Sequence, residues 1–161
     1  MNHVRINTSI YATEDPDRVM VALHNMFTFN DADVVKENRS ETVALKLDVS
    51  VRFEVEVIRV VLELDDTACL AKLKVKLNEN SIEECARSIL YQSRSHVEGN
   101  TIRLSFKLHK QAAFMGLVHF SEMHESPLGP INVDITTDDV DGFINWLAPR
   151  VIVVKKETAK D

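Results

Sequence analysis

Val4, Ile6, Thr8 and Ile10 alternate with Arg5, Asn7, Ser9 and Tyr11, the period-two pattern of a strand with one covered face. In Thr13-Glu14-Asp15-Pro16-Asp17, Asp15 can cap free backbone N–H groups and Pro16 suits the first helical position. Val19, Ala22, Leu23, Met26 and Phe27 then recur at helical spacing, which predicts a helix from Pro16 to Phe27. After a turn at Asn30-Asp31, residues Val34 to Leu64 are rich in β-branched side chains, with Val51, Phe53, Val55 and Val57 alternating against Arg52, Glu54 and Glu56. Two or three strands fit that stretch.

The pattern from Asp66 to Asn78 suits either period. Asp66 as a cap and the long lysine stems favour a helix. Ser81-Ile82-Glu83-Glu84 has capping-box spacing, and Ile82, Cys85, Ala86, Ile89 and Leu90 form an apolar stripe. This predicts a second helical region closed by Gly99-Asn100. Ile102, Leu104, Phe106 and Leu108 alternate with Arg103, Ser105, Lys107 and His109 in another half-covered strand. Phe114 to Met123 and Ile131 to Ile135 read as two more strands, separated by a turn at Ser126-Pro127-Leu128-Gly129-Pro130. Asp138 is the expected cap of a last helix that buries Val140, Phe143, Ile144 and Leu147 and ends at Pro149. The expected organisation is one α+β domain over residues 1–154, with a mainly antiparallel sheet, and a frayed tail over 155–161.

Composition narrows the class. The 161 residues are 45% hydrophobic and 27% charged with only 4 Gly and 4 Pro, which excludes disordered and collagen-like readings. No apolar run reaches the roughly 18 residues of a membrane helix and the start has no signal-peptide core, so a cytoplasmic protein without a membrane partner is expected. Cys69 and Cys85 lack zinc-type spacing and read as small hydrophobes.

The net charge of −6 argues against general affinity for nucleic acid, but its distribution is uneven. Residues 67–120 hold 8 Lys and Arg against 4 Asp and Glu, while 1–66 hold 7 against 13 and 121–161 hold 4 against 8. This basic island is either an anion-binding face or a set of partners for the acidic flanks.

Nucleotide, hydrolase and metalloprotease signatures are absent from the sequence. His119, Glu122 and His124 are the nearest approach to a metal cluster, yet on a strand the odd histidine spacing sends the two rings to opposite faces. No metal, cofactor or catalytic residue is expected. One constellation stands out: Arg87, Tyr91 and Arg94 fall at i, i+4 and i+7, away from the apolar stripe. Two guanidiniums beside an aromatic ring can hold phosphate while the ring stacks a base. They also suit an i,i+4 pair between Glu83 and Arg87 and charge compensation at a helix end. Arg103 and Lys107 share the outward face of the next strand, and Lys110 follows it.

The runs Ala86-Arg87-Ser88-Ile89-Leu90, Gly99-Asn100-Thr101-Ile102-Arg103, Lys110-Gln111-Ala112-Ala113-Phe114-Met115-Gly116 and Ser126-Pro127-Leu128-Gly129-Pro130-Ile131 resemble an archaeal family of uncharacterised proteins. The ends, Ala12 to Val19 and Ile144 to Arg150, resemble it as well. That family is grouped with a predicted exosome-associated family under a presumed RNA-binding heading. The resemblance implies an α+β fold similar to the large-subunit ribosomal protein five class, with helices on one side of the sheet, and an archaeal, cytoplasmic source. The expected function is a non-enzymatic RNA-binding module in which Arg87, Arg94, Arg103, Lys107 and Lys110 contact phosphate and Tyr91 stacks. The alternative is a protein-interaction or assembly subunit, with a homo-oligomer built on an exposed strand edge near Val51 to Leu64.

Overall fold

The structure is a computed structural model, and it describes residues 2–46, 50–121 and 129–150. In chain order the elements are β1 (His3–Tyr11), α1 (Pro16–Met26), β2 (Val35–Lys46), β3 (Ser50–Leu64), α2 (Ala71–Glu79), α3 (Glu83–Gln92), β4 (Ser95–Glu98), β5 (Thr101–Leu108), α4 (Lys110–Phe114), β6 (Ile131–Thr137) and α5 (Val140–Leu147). The strands form one antiparallel sheet in the order β2-β3-β1-β6-β5-β4.

Register explains why the sheet has one dry face. Ile6 lies between Leu62 and Val133, and Val133 lies opposite Phe106, so these apolar side chains share a face. All four are buried, and they join Leu23, Met26, Leu73, Leu77, Leu90, Ile144 and Leu147 of the helices in one cluster. The fold is therefore α+β with helices against a single sheet face, and Arg5, Arg103 and Lys107 are exposed on the other.

Helix starts follow short polar side chains. Asp15 Oδ1 accepts from the Asp17 N–H at 2.9 Å, with Pro16 in the first turn, and Asp66 Oδ1 accepts from the Ala68 N–H at 2.9 Å. Asp66 opens a 3-10 turn, Thr67–Leu70, that leads into α2 and settles the ambiguous stretch as helical. For α5 the cap is Asp139 rather than Asp138: Asp139 Oδ1 accepts from the Gly142 N–H at 3.0 Å. The capping box at Ser81 does not form. Ser81 takes a left-handed conformation, φ 55°, and the N-cap position falls to Ile82, which has no side chain able to cap, so Ser81 and Glu84 never take the two places the box requires; the buried Glu83 accepts from Asn78 Nδ2 at 2.8 Å.

Two further expectations change, and the strand count after Val34 is resolved. Gly99-Asn100 turns the β4–β5 hairpin and does not end α3, which stops at Gln92. The stretch from Val34 contains two strands, joined in one long regular hairpin. Phe114 does not begin a strand: Lys110–Phe114 is one helical turn, capped by His109 Nδ1 accepting from the Ala112 N–H at 3.2 Å and held where Asn25 Nδ2 donates to the carbonyls of Ala113 and Phe114 at 3.0 Å. Among the described residues of the expected strand only Phe120 makes a bridge, to Leu108. Met123, most of the Ser126 to Pro130 turn, Val151 to Val154 and the 155–161 tail lie outside the described residues.

Candidate nucleic-acid interface

The basic island divides once folded. Lys72, Lys74 and Lys76 of α2 donate from Nζ to three main-chain carbonyls: His24 at 2.8 Å, Trp146, and Gly116 at 2.9 Å. His24 and Trp146 stand in the last turns of α1 and α5, where carbonyls lack helical partners and the helix dipole attracts cations. Arg87 behaves likewise. It is buried, and its Nη1 donates to Asn145 Oδ1 at 2.7 Å and to the carbonyl of Ala148, the C-cap of α5, at 3.0 Å.

Lys110 is also internal, 4% exposed. Its Nζ donates to the Ser9 carbonyl at 2.6 Å and to both carboxylate oxygens of Glu14 at 2.9 and 3.2 Å, and it lies 5.6 Å from the Tyr11 ring centre. Burial lowers its pKa, while the Glu14 hydrogen bond and charge oppose that shift. The ion pair ties α4 to the β1–α1 corner. A buried charge of this kind is tolerable only when paired and hydrogen-bonded.

Tyr91 and Arg94 do meet at the surface. The guanidinium carbons of Arg87 and Arg94 lie 5.7 and 5.4 Å from the Tyr91 ring centre, within cation–π range. Arg94 Nε donates to the Tyr91 carbonyl at 2.9 Å, and Tyr91 Oη donates to Asp141 Oδ1 at 2.7 Å. That hydrogen bond to Asp141 is the main reason the phenol pKa rises above its ordinary value.

Arg103 and Lys107 are exposed on the open sheet face, and the side chain of neither makes a hydrogen bond or ion pair among the described residues. Ser95, next to Arg94, lies opposite Arg103, so Arg94 enters the short edge strand β4 at the point where Arg103 of β5 stands across from it. The six candidate residues thus separate into Tyr91, Arg94, Arg103 and Lys107 around the β4 side of the sheet, Arg87 beneath Tyr91, and Lys110 in the interior.

Sequence reasoning passed over Arg5. Register places it opposite Asp134, which lies opposite Ser105, midway between Arg103 and Lys107. Arg5 is exposed, 3.8 Å from Glu63, and Ser105 Oγ donates to Asp134 Oδ1 at 2.6 Å. The β1 alternation already put Arg5 on the outer face; only the strand order makes it a neighbour of β5.

A second omission is a polar network on the β1–β3 half of that face. Arg59 Nη1 donates to Ser9 Oγ at 2.9 Å and Nη2 donates to Asn7 Oδ1; Ser9 Oγ and Tyr11 Oη each donate to Glu41 at 2.9 Å. Asn7 and Ser9 are buried although they lie on the polar face, because Arg59 and Glu41 cover them. Burial, followed by the Glu41 hydrogen bond, pushes the Tyr11 phenol up to about 12. Two open clefts of about 670 and 680 Å³ flank this corner, and Glu14, held by Lys110, lines both.

Among the described residues, no group of His, Cys, Asp or Glu is arranged to hold a metal ion; Glu122 and His124 lie outside them. No described helix is long and apolar enough to cross a membrane.

A family model described as RNA binding matches residues 3–137. A UPF0201 protein of Pyrobaculum islandicum is 36% identical over 139 residues, covering 86% of this chain and 82% of that protein. Another, from Methanopyrus kandleri, is 34% identical over 155 residues, with 94% and 87% coverage. The crystal structure of a UPF0201 protein from Methanococcus jannaschii superposes with TM-score 0.62 at 26% identity, covering 92% of this chain and 93% of that one. A DUF54 protein from Methanothermobacter thermautotrophicus shares the fold with TM-score 0.55 at 16% identity, covering 90% and 96%.

Proposed function

Since the chain belongs to the UPF0201 family of uncharacterised archaeal proteins, whose model carries an RNA-binding description, we propose that it is a non-catalytic RNA-binding module acting in the cytoplasm. Phosphate is contacted at the β4 side of the sheet by Arg94, Arg103 and Lys107, with Arg5 beside them. The observation that carries this reading is the pairing of Ser95 with Arg103, which brings Arg94, one residue before β4, next to the strand position opposite Arg103. Arg103 and Lys107 are four residues apart on β5, roughly 13 Å along the strand, too far to share one phosphate. They therefore engage separate phosphates of a strand crossing the sheet.

Tyr91 is the stacking element. Arg94 occupies its ring in the free protein, and an unpaired base can take the place of that exposed guanidinium. Arg87 serves from below by fixing α3 against the end of α5. Lys110 fixes the corner after β5, so its role is to position the strand that carries Lys107. The acidic remainder of a chain of net charge −6 limits binding elsewhere on the surface.

The test is fluorescence anisotropy with single-stranded, duplex and structured RNAs over a salt series, comparing the native chain with an Arg94→Glu, Lys107→Glu variant. The expected result is binding that weakens with salt, with the variant weaker by more than about tenfold and its salt slope shallower by roughly 1 to 2. Equal affinity of the two proteins, or no binding even at low salt, would sink the proposal.

A further inference from the structure

The two edges of the sheet are built differently. β4 is four residues long, and its pairing with β5 shifts register between His96 and Glu98. Shortness and a bulge are two of the devices that keep a sheet edge from pairing with another chain. β2 has neither. It runs for twelve residues, pairs residue for residue from Val35↔Val61 to Lys46↔Ser50, and contains no proline. From Val35 to Thr42 every residue but the half-buried Glu41 is exposed. The last β1 pair is Tyr11↔Val57, so Ser40–Lys46 and Ser50–Glu56 continue past β1 as a two-stranded ribbon. Two strands alone are marginal in water, and a further strand on the open edge would stabilise them.

The side chains of β2 specify that strand. We propose that two copies of the chain pair antiparallel along β2, about a two-fold axis at Ser40, to make one continuous twelve-stranded sheet. In this register Arg39 of each copy stands opposite Glu41 of the other, so opposite charges meet twice. Arg39 already accepts Glu37 as a partner at 3.0 Å and Glu41 lies 3.9 Å from Arg59, so charges alternate along the row Glu37, Arg39, Glu41, Arg59 across the axis. An axis at Arg39 would oppose Arg39 to itself and Glu37 to Glu41, and an axis at Glu41 would oppose two glutamates. Directly opposed like charges are destabilising. An axis at Asn38 would also match charges, but it overlaps only residues 35–41 of the strand, against 35–45 for the axis at Ser40.

The test uses the full chain. Light scattering coupled to size exclusion over a concentration series should give twice the 18.3 kDa of one copy, and Arg39→Glu should weaken association by about tenfold, since it turns both opposite-charge pairs into like-charge pairs. Register is read by crosslinking in a Cys85→Ser background, with native Cys69 buried. Ser40→Cys meets its own symmetry mate and should form a disulfide-linked dimer on mild oxidation. Asn38→Cys, roughly 13 Å from its mate, should not. A mass of one copy at every concentration, or a dimer in which Ser40→Cys crosslinks no faster than Asn38→Cys, overturns the proposal.

Discussion

Lys107 and Lys110 stand three residues apart at the end of β5, yet one is exposed without a partner among the described residues and the other is 4% exposed, gripped by Glu14 and the Ser9 carbonyl. Strand alternation sends Lys107 outward with Arg103. At His109 the chain leaves the sheet and turns into α4, and that change of path carries Lys110 inward. A basic stretch in a sequence is therefore not a basic surface. Of the cations in the central third, those on α2, Arg87 and Lys110 close gaps between elements, and Arg94, Arg103 and Lys107 stay exposed.

The difference between the two lysines can be broken from either side. Lys110→Ala leaves the Glu14 carboxylate buried without its cation, and a loss of about 3 to 5 kcal/mol is expected in chemical denaturation. Lys107→Ala should stay within about 0.5 kcal/mol in the same assay. If the two variants unfold alike, the internal role of Lys110 is wrong. Arg87→Ala comes next, at about 1 to 3 kcal/mol, because the Ala148 carbonyl loses a charged donor. Its effect on RNA affinity should follow from the loosened α3–α5 contact, and addition of salt should change it less than it changes the effect of Lys107→Glu.

The smallest effect sharpens the contrast through the two tyrosines. Tyr11 belongs to the interior corner and Tyr91 to the exposed edge, and both phenols are raised, Tyr11 to about 12. Spectrophotometric titration of the folded chain should show Tyr91 ionising above its ordinary value and Tyr11 in a step near 12 that Tyr11→Phe removes. Because the unfolded phenol titrates at about 10, Tyr11 contributes stability that is complete below pH 10 and fades as pH rises through about 12. A normal titration of both rings would show that neither Glu41 nor Asp141 holds its phenol.

Elements with one apolar face were legible in the sequence: β1, α1, α3, β5, β6 and α5 each repeat at their own period over at least seven residues. β4 was not, because all four of its residues are exposed and nothing about Ser95 to Glu98 alternates in hydrophobicity. α4 was not, because its single turn depends on Asn25, 88 residues away, and on the His109 ring. The cap of α3 failed because Ser81 is used in a left-handed turn after α2, which shifts the N-cap to Ile82. At the candidate site the pairing of Arg87 with Tyr91 followed from helical spacing, whereas Arg94, expected on the same helix, lies two residues past its end at Gln92 and folds back over Tyr91, and the burial of Arg87 was not legible. Its partners, Asn145 and Ala148, come from a helix more than fifty residues on.

The place of β1 in the sheet has a consequence for how the chain acquires its structure. β1 sits between β3 and β6, so Asn7 pairs with Asn132, and the first strand made receives its second neighbour only when the last strand is complete. On a ribosome the β2–β3 and β4–β5 hairpins, whose partners are close in sequence, can zip early, but the halves of the sheet stay unjoined until Thr137 has emerged. Such long-range closure makes folding slow relative to hairpin formation. A nascent chain stalled before Ile131 would expose one side of β1 and one side of β5, two open edges in the middle of what becomes the core, and would be a natural substrate for chaperones.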